Sequence, residues 1–357
     1  MNKNLQLLRA TGQSLWLDNI TRTLLDDGTL ARYIADYGIT GLTSNPTIFE
    51  HAIGGSDAYD SAIAEKAAAG LDHEALFVEL ALEDLRRAAL MFEPAHKASD
   101  GVDGWVSMEL SPLLASDTAG SIAAAARIHA QAGCDNLYIK IPGTPEGIPA
   151  IEESIYNGVP INVTLLFSTD QYLASAEAYL RGIERRIADG REPVVSSVAS
   201  LFVSRWDKAV ADTVPAALRN TLGIAVSQQV YDAYRKLLDS PRWKTLAAAG
   251  AQPQRLLWAS TGTKDPDASD TLYVSALAAP DTIDTIPEKT LRAFADHGKV
   301  DSVLESDDTA NVLQPFTDAG IDVDALAARL QREGADSFVE SWKKLMQSIS
   351  EKAKQLA

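Results

Sequence analysis

The chain is poor in cysteine: Cys134 is the only one in 357 residues. No disulfide framework can form within it, and a reducing compartment is expected. Basic residues are also scarce, with Lys+Arg 32 against Asp+Glu 49 and a net charge of −17. That balance argues against nucleic acid as a main partner. It also means that an anionic substrate would need a local cluster of positive charge. The five histidines (His51, His73, His96, His129 and His297) have neither H-x-x-H nor H-E-x-x-H spacing, so no metal site is expected. Neither G-x-G-x-x-G nor G-x-x-x-x-G-K-[ST] occurs, and the usual nucleotide fingerprints are missing. No apolar run near Met1 has the length of a secretory leader, and no window approaches a membrane span. A cytoplasmic protein with no membrane partner is expected.

What remains is an ordinary globular composition, 46% hydrophobic and 23% charged. Short apolar stretches that end in polar residues alternate with helical ones. The strand candidates are 15–19, 41–46, 105–111, 136–142, 160–166, 193–200, 255–262 and 272–280. Helical patterns fill the gaps, and 336–356 reads as a long amphipathic helix. Eight strands alternating with helices predict a parallel sheet, and eight is the number that closes a (β/α)8 TIM barrel. A doubly wound open sheet is the alternative. The expected organisation is a single barrel domain over 1–357. Helical insertions would lie at about 57–97 and 206–250, with C-terminal helices from about 287.

One strand stands out. In Asn136-Leu-Tyr-Ile-Lys-Ile-Pro142 side chains alternate, so Lys140 shares a face with Asn136 and Tyr138. A lysine inside a buried strand is costly unless its charge is paired or its proton is given up. A desolvated lysine is also the group that forms Schiff bases with carbonyl substrates. A lysine at a strand end can instead reach out to water.

The period of two applied to the other strands settles which reading to prefer. Asp18 shares a face with Trp16, Asn45 with Thr43, and Glu109 with Ser107 and Trp105. Asn162 pairs with Thr164, Ser200 with Val198 and Ser196, and Ser260 with Trp258. Each polar residue has a purely structural explanation. Asp18, Ser200 and Ser260 could cap helices, and Asn45 before Pro46 could shape a turn. Seven strands that each place a polar group late, on what could be one face, are better explained by a shared mouth at the C-terminal ends. A neutral lysine there can attack a ketone and lose water to an iminium, and two carboxylates can serve as acid and base. That is class I aldol chemistry.

These residues carry a family likeness. Leu17-Asp18-Asn, Gly38 to Phe49 with its Thr-Ser-Asn45-Pro core, Tyr138-Ile-Lys140-Ile-Pro, and Ile161-Asn162-Val-Thr164-Leu-Leu-Phe-Ser168 resemble transaldolase over nearly the whole chain. The likeness extends to Asp284-Thr-Ile-Pro-Glu288, placed after the last strand. It implies a pentose-phosphate enzyme with no metal or organic cofactor. Such an enzyme moves a dihydroxyacetone unit from sedoheptulose 7-phosphate to glyceraldehyde 3-phosphate, giving erythrose 4-phosphate and fructose 6-phosphate. By the same resemblance Lys140 is the Schiff-base lysine and Asp18 handles the substrate hydroxyl. Glu109 and Thr164 position a water, and Asn45 and Asn162 hold the dihydroxyacetone moiety.

Ser200-Leu-Phe-Val-Ser-Arg205 resembles the family's S-x-F-x-x-R element. It implies that Ser200 donates to the substrate and that Arg205 binds phosphate. An ion pair between Arg205 and Asp207 is the alternative. Where the family commonly has a second arginine, the loop reads Ser260-Thr-Gly-Thr-Lys264. Lys264 can supply the charge but not the planar fork. Phe202 stands where the related fructose-6-phosphate aldolases carry tyrosine, which favours transfer over simple cleavage. Two other readings are an aldolase that needs no acceptor and a catalytically silent barrel that binds sugar phosphates. The sequence leaves monomer and homodimer open.

Overall fold

The computed structural model describes residues 1–300, 302–305, 309 and 311–356. Its centre is a closed barrel of eight parallel strands in sequence order. These are β1 (Ser14–Asp18), β2 (Gly41–Thr43), β3 (Val106–Glu109), β4 (Leu137–Pro142), β5 (Ile161–Leu166), β6 (Ser197–Phe202), β7 (Arg255–Ala259) and β8 (Thr282–Ile286). β8 pairs back onto β1, so the barrel has no free edge. The TIM-barrel expectation holds, and the open sheet does not.

Two strand assignments change. The apolar run 272–280 is not the eighth strand: Leu272–Ala276 is a short helix, and β8 lies at Thr282–Ile286. Its sequence, Thr-Ile-Asp-Thr-Ile, is mostly polar and does not alternate, whereas 272–280 is nearly all apolar because it is buried on several sides. Strand 193–200 starts later, at Ser197, and runs on to Phe202, so Phe202 is a strand residue. The face shared by Trp258 and Ser260 is also lost. Trp258 Nε1 donates to the carbonyl of Leu277, outside the barrel, while Leu257 and Ala259 face the cavity within it. Ser260 still reaches that cavity because its backbone turns left-handed there, at φ +58.

The barrel interior is layered. Trp16, Trp105 and Tyr138 fill its middle: the Trp105 and Tyr138 rings stack with centroids 4.0 Å apart, and Trp16 leans on Tyr138 at 6.2 Å. Asp103 accepts from Trp16 Nε1, so the indole is satisfied. Asp18 and Lys140 sit two residues further along the same strands as Trp16 and Tyr138. This aromatic floor closes the lower barrel beneath them.

Helices at Asp60–Ala68 and His73–Ala98 lie between β2 and β3. Ser204–Val210, Leu222–Asp239 and Pro241–Ala248 lie between β6 and β7. The C-terminal helix is longer than its apolar pattern suggested, running from Val323 to Leu356. It packs along Pro46–Gly54 and crosses the top of the barrel, with Trp342 edge-on to Phe77 at 5.2 Å. Among the described residues no helix is long and apolar enough to cross a membrane.

Candidate active site

The strand register builds the site. Glu109 on β3 is paired with Lys140 on β4, and Lys140 with Asn162 on β5. Pairing at that level carries all three side chains into the barrel. Lys140 Nζ lies 3.0 Å from Glu109 Oε2 and donates to the Ser44 carbonyl at 3.1 Å. Both side chains of the ion pair are more than nine-tenths buried. On the other side of the mouth, Asp18 is paired with Thr43, whose hydroxyl donates to Asp18 Oδ1 at 3.1 Å.

Burial pushes the carboxyls of both Asp18 and Glu109 above the usual range, although the Lys140 charge pulls each back down. A carboxyl held up in this way can give a proton near neutral pH, and its anion is a usable base. Burial also lowers the ammonium of Lys264 and the guanidinium of Arg205, against the pull of Asp18 on the first and Glu109 on the second.

The mouth encloses a cavity of about 210 Å³. Asp18, Lys140 and Thr164 line it, as do Asn45, Ser200, Phe202, Arg205 and Lys264. The remaining two candidates stand one contact behind. Glu109 meets Lys140, and Asn162 accepts from Ser200 Oγ at 2.7 Å while donating to Ser107 Oγ at 3.2 Å. Thr164 Oγ1 is buried with no partner among the described residues. Asn45 has a double duty: its Oδ1 caps the helix Pro46–Gly54 by accepting from Ile48 N–H. That leaves its amide nitrogen for the cavity.

Arg205 makes no ion pair with Asp207 among the described residues. Asp207 instead accepts from the Leu222 and Gly223 amides and from the Tyr273 hydroxyl. The Arg205 guanidinium lies over the Phe202 ring at 5.1 Å and the Phe338 ring at 5.8 Å. Lys264 enters from the loop after β7. A Cβ built on Gly262 would lie 3.8 Å from Lys264 Nζ. A side chain at 262 would thus begin in contact with the Lys264 ammonium.

Sequence reasoning missed Thr285 and Pro287, which line the cavity from β8 and just beyond it. Thr282–Ile286 has no clean alternation, and its three polar residues gave little sign of a buried strand. Phe338, on the apolar face of the C-terminal helix, also lines the cavity. Among the described residues no three His, Cys, Asp or Glu side chains converge as a metal site would require.

The sequence model of the Transaldolase/Fructose-6-phosphate aldolase family matches residues 15–349. A protein named Transaldolase 2 from Nostoc punctiforme is 41% identical over 98% of this chain and 97% of its own length. A Transaldolase from a Parafrankia species is 42% identical over 98% of both chains. The Transaldolase of Saccharopolyspora erythraea is 43% identical over 99% of both.

Proposed function

The chain belongs to the transaldolase/fructose-6-phosphate aldolase family and is an enzyme of the transaldolase kind; on that premise we propose that it works through a Schiff base on Lys140. The donor is sedoheptulose 7-phosphate or fructose 6-phosphate, and the acceptor is glyceraldehyde 3-phosphate or erythrose 4-phosphate. The amine attacks the donor's ketone carbon, and the resulting carbinolamine loses water to become an iminium. Asp18 takes the proton of the C4 hydroxyl. The C3–C4 bond then breaks, its electron pair passes into the enamine, and the aldehyde leaves. The same steps reversed on the acceptor aldehyde, followed by hydrolysis, free the lysine.

Glu109 and Thr164 serve the dehydration. Glu109 is within hydrogen-bond reach of Lys140 Nζ, and the Thr164 hydroxyl is available to hold the water that carries the proton. Asn45 and Ser200 hold the hydroxyls of the dihydroxyacetone unit, with Asn162 behind Ser200. Arg205 and Lys264 take the phosphate. No metal or organic cofactor enters the scheme, and a cytoplasmic location fits it.

The observation that carries this reading is Lys140, buried in the cavity with Glu109 at 3.0 Å and Asp18 across the mouth. It is tested by borohydride reduction in the presence of fructose 6-phosphate, with intact mass and peptide mapping. The expected product is a dihydroxyacetone-sized adduct on Lys140 that diminishes when erythrose 4-phosphate is added first. No adduct, or one on another lysine, overturns it.

A further inference from the structure

Thr164 is followed by a residue in an unfavourable backbone conformation. Leu165 has φ +57, a region that side chains other than glycine, asparagine and aspartate rarely enter. The pairing of β5 with β6 slips at the same place, between Val163 and Leu166. Such a kink persists only where the surroundings hold it, and those found at functional sites commonly aim a side chain.

The hold comes from the C-terminal helix. The Gln331 side chain is buried, and its Nε2 donates to the Leu165 carbonyl at 3.0 Å and to the Gly143 carbonyl at 3.0 Å. Gly143 N–H in turn donates to the Thr164 carbonyl at 2.8 Å. One amide thus bridges the ends of the two strands that carry Lys140 and Thr164. One turn further on, a Cβ on Gly334 would come within 2.8 Å of Leu165 Cδ2 and 3.0 Å of Arg205 Nη1. The bare position makes room for both. A buried glutamine and a glycine are each poor choices for the apolar face of a helix on propensity and burial grounds. Their contacts with Leu165 and Arg205 account for them.

We infer that Gln331 and Gly334 are positioning residues for the reaction. Gln331 holds the Leu165 kink that leaves the Thr164 hydroxyl facing Lys140, and Gly334 seats Leu165 and the Arg205 guanidinium. The inference rests on Lys140 acting as the Schiff-base lysine. It predicts two separable defects.

Gln331→Glu keeps the size of the side chain but presents a carboxylate to two carbonyls. It should lower kcat and the rate of borohydride-trappable adduct formation by about 10- to 100-fold, with KM for the phosphorylated acceptor within about threefold. The loss should shrink as the pH is lowered, because a protonated carboxyl again donates one hydrogen bond. Gly334→Ala raises helix propensity but its Cβ must displace Leu165 or Arg205, so its thermal melt is read beside the kinetics. It should raise KM for the phosphorylated acceptor by about tenfold with a smaller change in kcat.

The measurements are steady-state kinetics across pH, rapid-quench borohydride trapping, and thermal melts of the full chain. Adduct formation at the unmutated rate in Gln331→Glu overturns the inference. So does a kcat loss with no recovery at lower pH in a variant of lowered melting temperature, since a purely structural role predicts that. An unchanged KM in Gly334→Ala overturns the role of that residue. If the unmutated enzyme forms no adduct on Lys140, the Schiff-base reading itself falls and this inference with it.

Discussion

Glu109 and Lys140 face each other at directly paired positions of β3 and β4, with Oε2 and Nζ 3.0 Å apart and both side chains buried. Removing one charge from such a pair leaves the other uncompensated, at a cost of about 3–5 kcal/mol. Glu109→Gln should therefore lower unfolding stability by that order in urea titration. If Glu109 carries the dehydration proton as proposed, the substitution should also lower kcat by roughly 10²- to 10⁴-fold. A variant that keeps full turnover while losing stability would show the pair to be structural only.

Lys264 lines the cavity from the loop after β7. If its ammonium binds phosphate, Lys264→Ala should raise KM for a phosphorylated acceptor by about 10- to 100-fold, as expected for loss of a charge-assisted hydrogen bond of roughly 1.5–3 kcal/mol. KM for an unphosphorylated aldehyde should barely move. Equal effects on the two acceptors would rule out phosphate recognition by this residue.

Phe202 lies beside Arg205 on the cavity wall and carries no hydroxyl. Phe202→Tyr adds one there. The expected outcome is release of free dihydroxyacetone from fructose 6-phosphate without acceptor, at a rate at least several-fold above that of the unmutated enzyme. No gain in acceptor-independent cleavage would sink the idea that this ring favours transfer.

Asp284 gives a pH prediction for stability. Burial pushes its carboxyl up to about 8, the Asp18 charge adds to the rise, and the Thr261 hydroxyl at 2.9 Å offsets part of it. A folded-state pKa above the unfolded one favours folding at low pH, and that contribution is lost as the pH climbs through the folded value. Stability should thus fall between about pH 4 and 8, by at most about 1.4 kcal/mol per pH unit from this group. Asp284→Asn should flatten that slope in denaturant titrations at pH 5, 7 and 9. Parallel profiles for the two proteins would refute the assignment.

Much of the site is legible in the sequence because a period of two is a strong rule inside a barrel. Asp18, Lys140, Thr164 and Ser200 all sit late in short strands, and register alone brings them to one mouth. The misses have physical causes. Leu272–Ala276 and Thr282–Ile286 are both short, and a brief apolar run does not distinguish strand from buried helix. The left-handed turns at Leu165 and Ser260 break the alternation, and neither residue type announces one. Phe338 looks like packing because it shares the helix's apolar stripe with Trp342 and Leu345. Only the path of the helix across the mouth separates their roles.

The roof of the cavity is supplied by Phe338, nearly two hundred positions after Lys140. At translation speeds of about 5–20 residues per second, the proposed nucleophile leaves the ribosome on the order of ten to forty seconds before this ring. Once β8 has emerged and can close the barrel, and until Phe338 follows about fifty residues later, the proposed nucleophile lies in a cavity that lacks this part of its wall. The last helix is therefore also what ends a period of chemical exposure, and a stalled or shortened chain would remain in it.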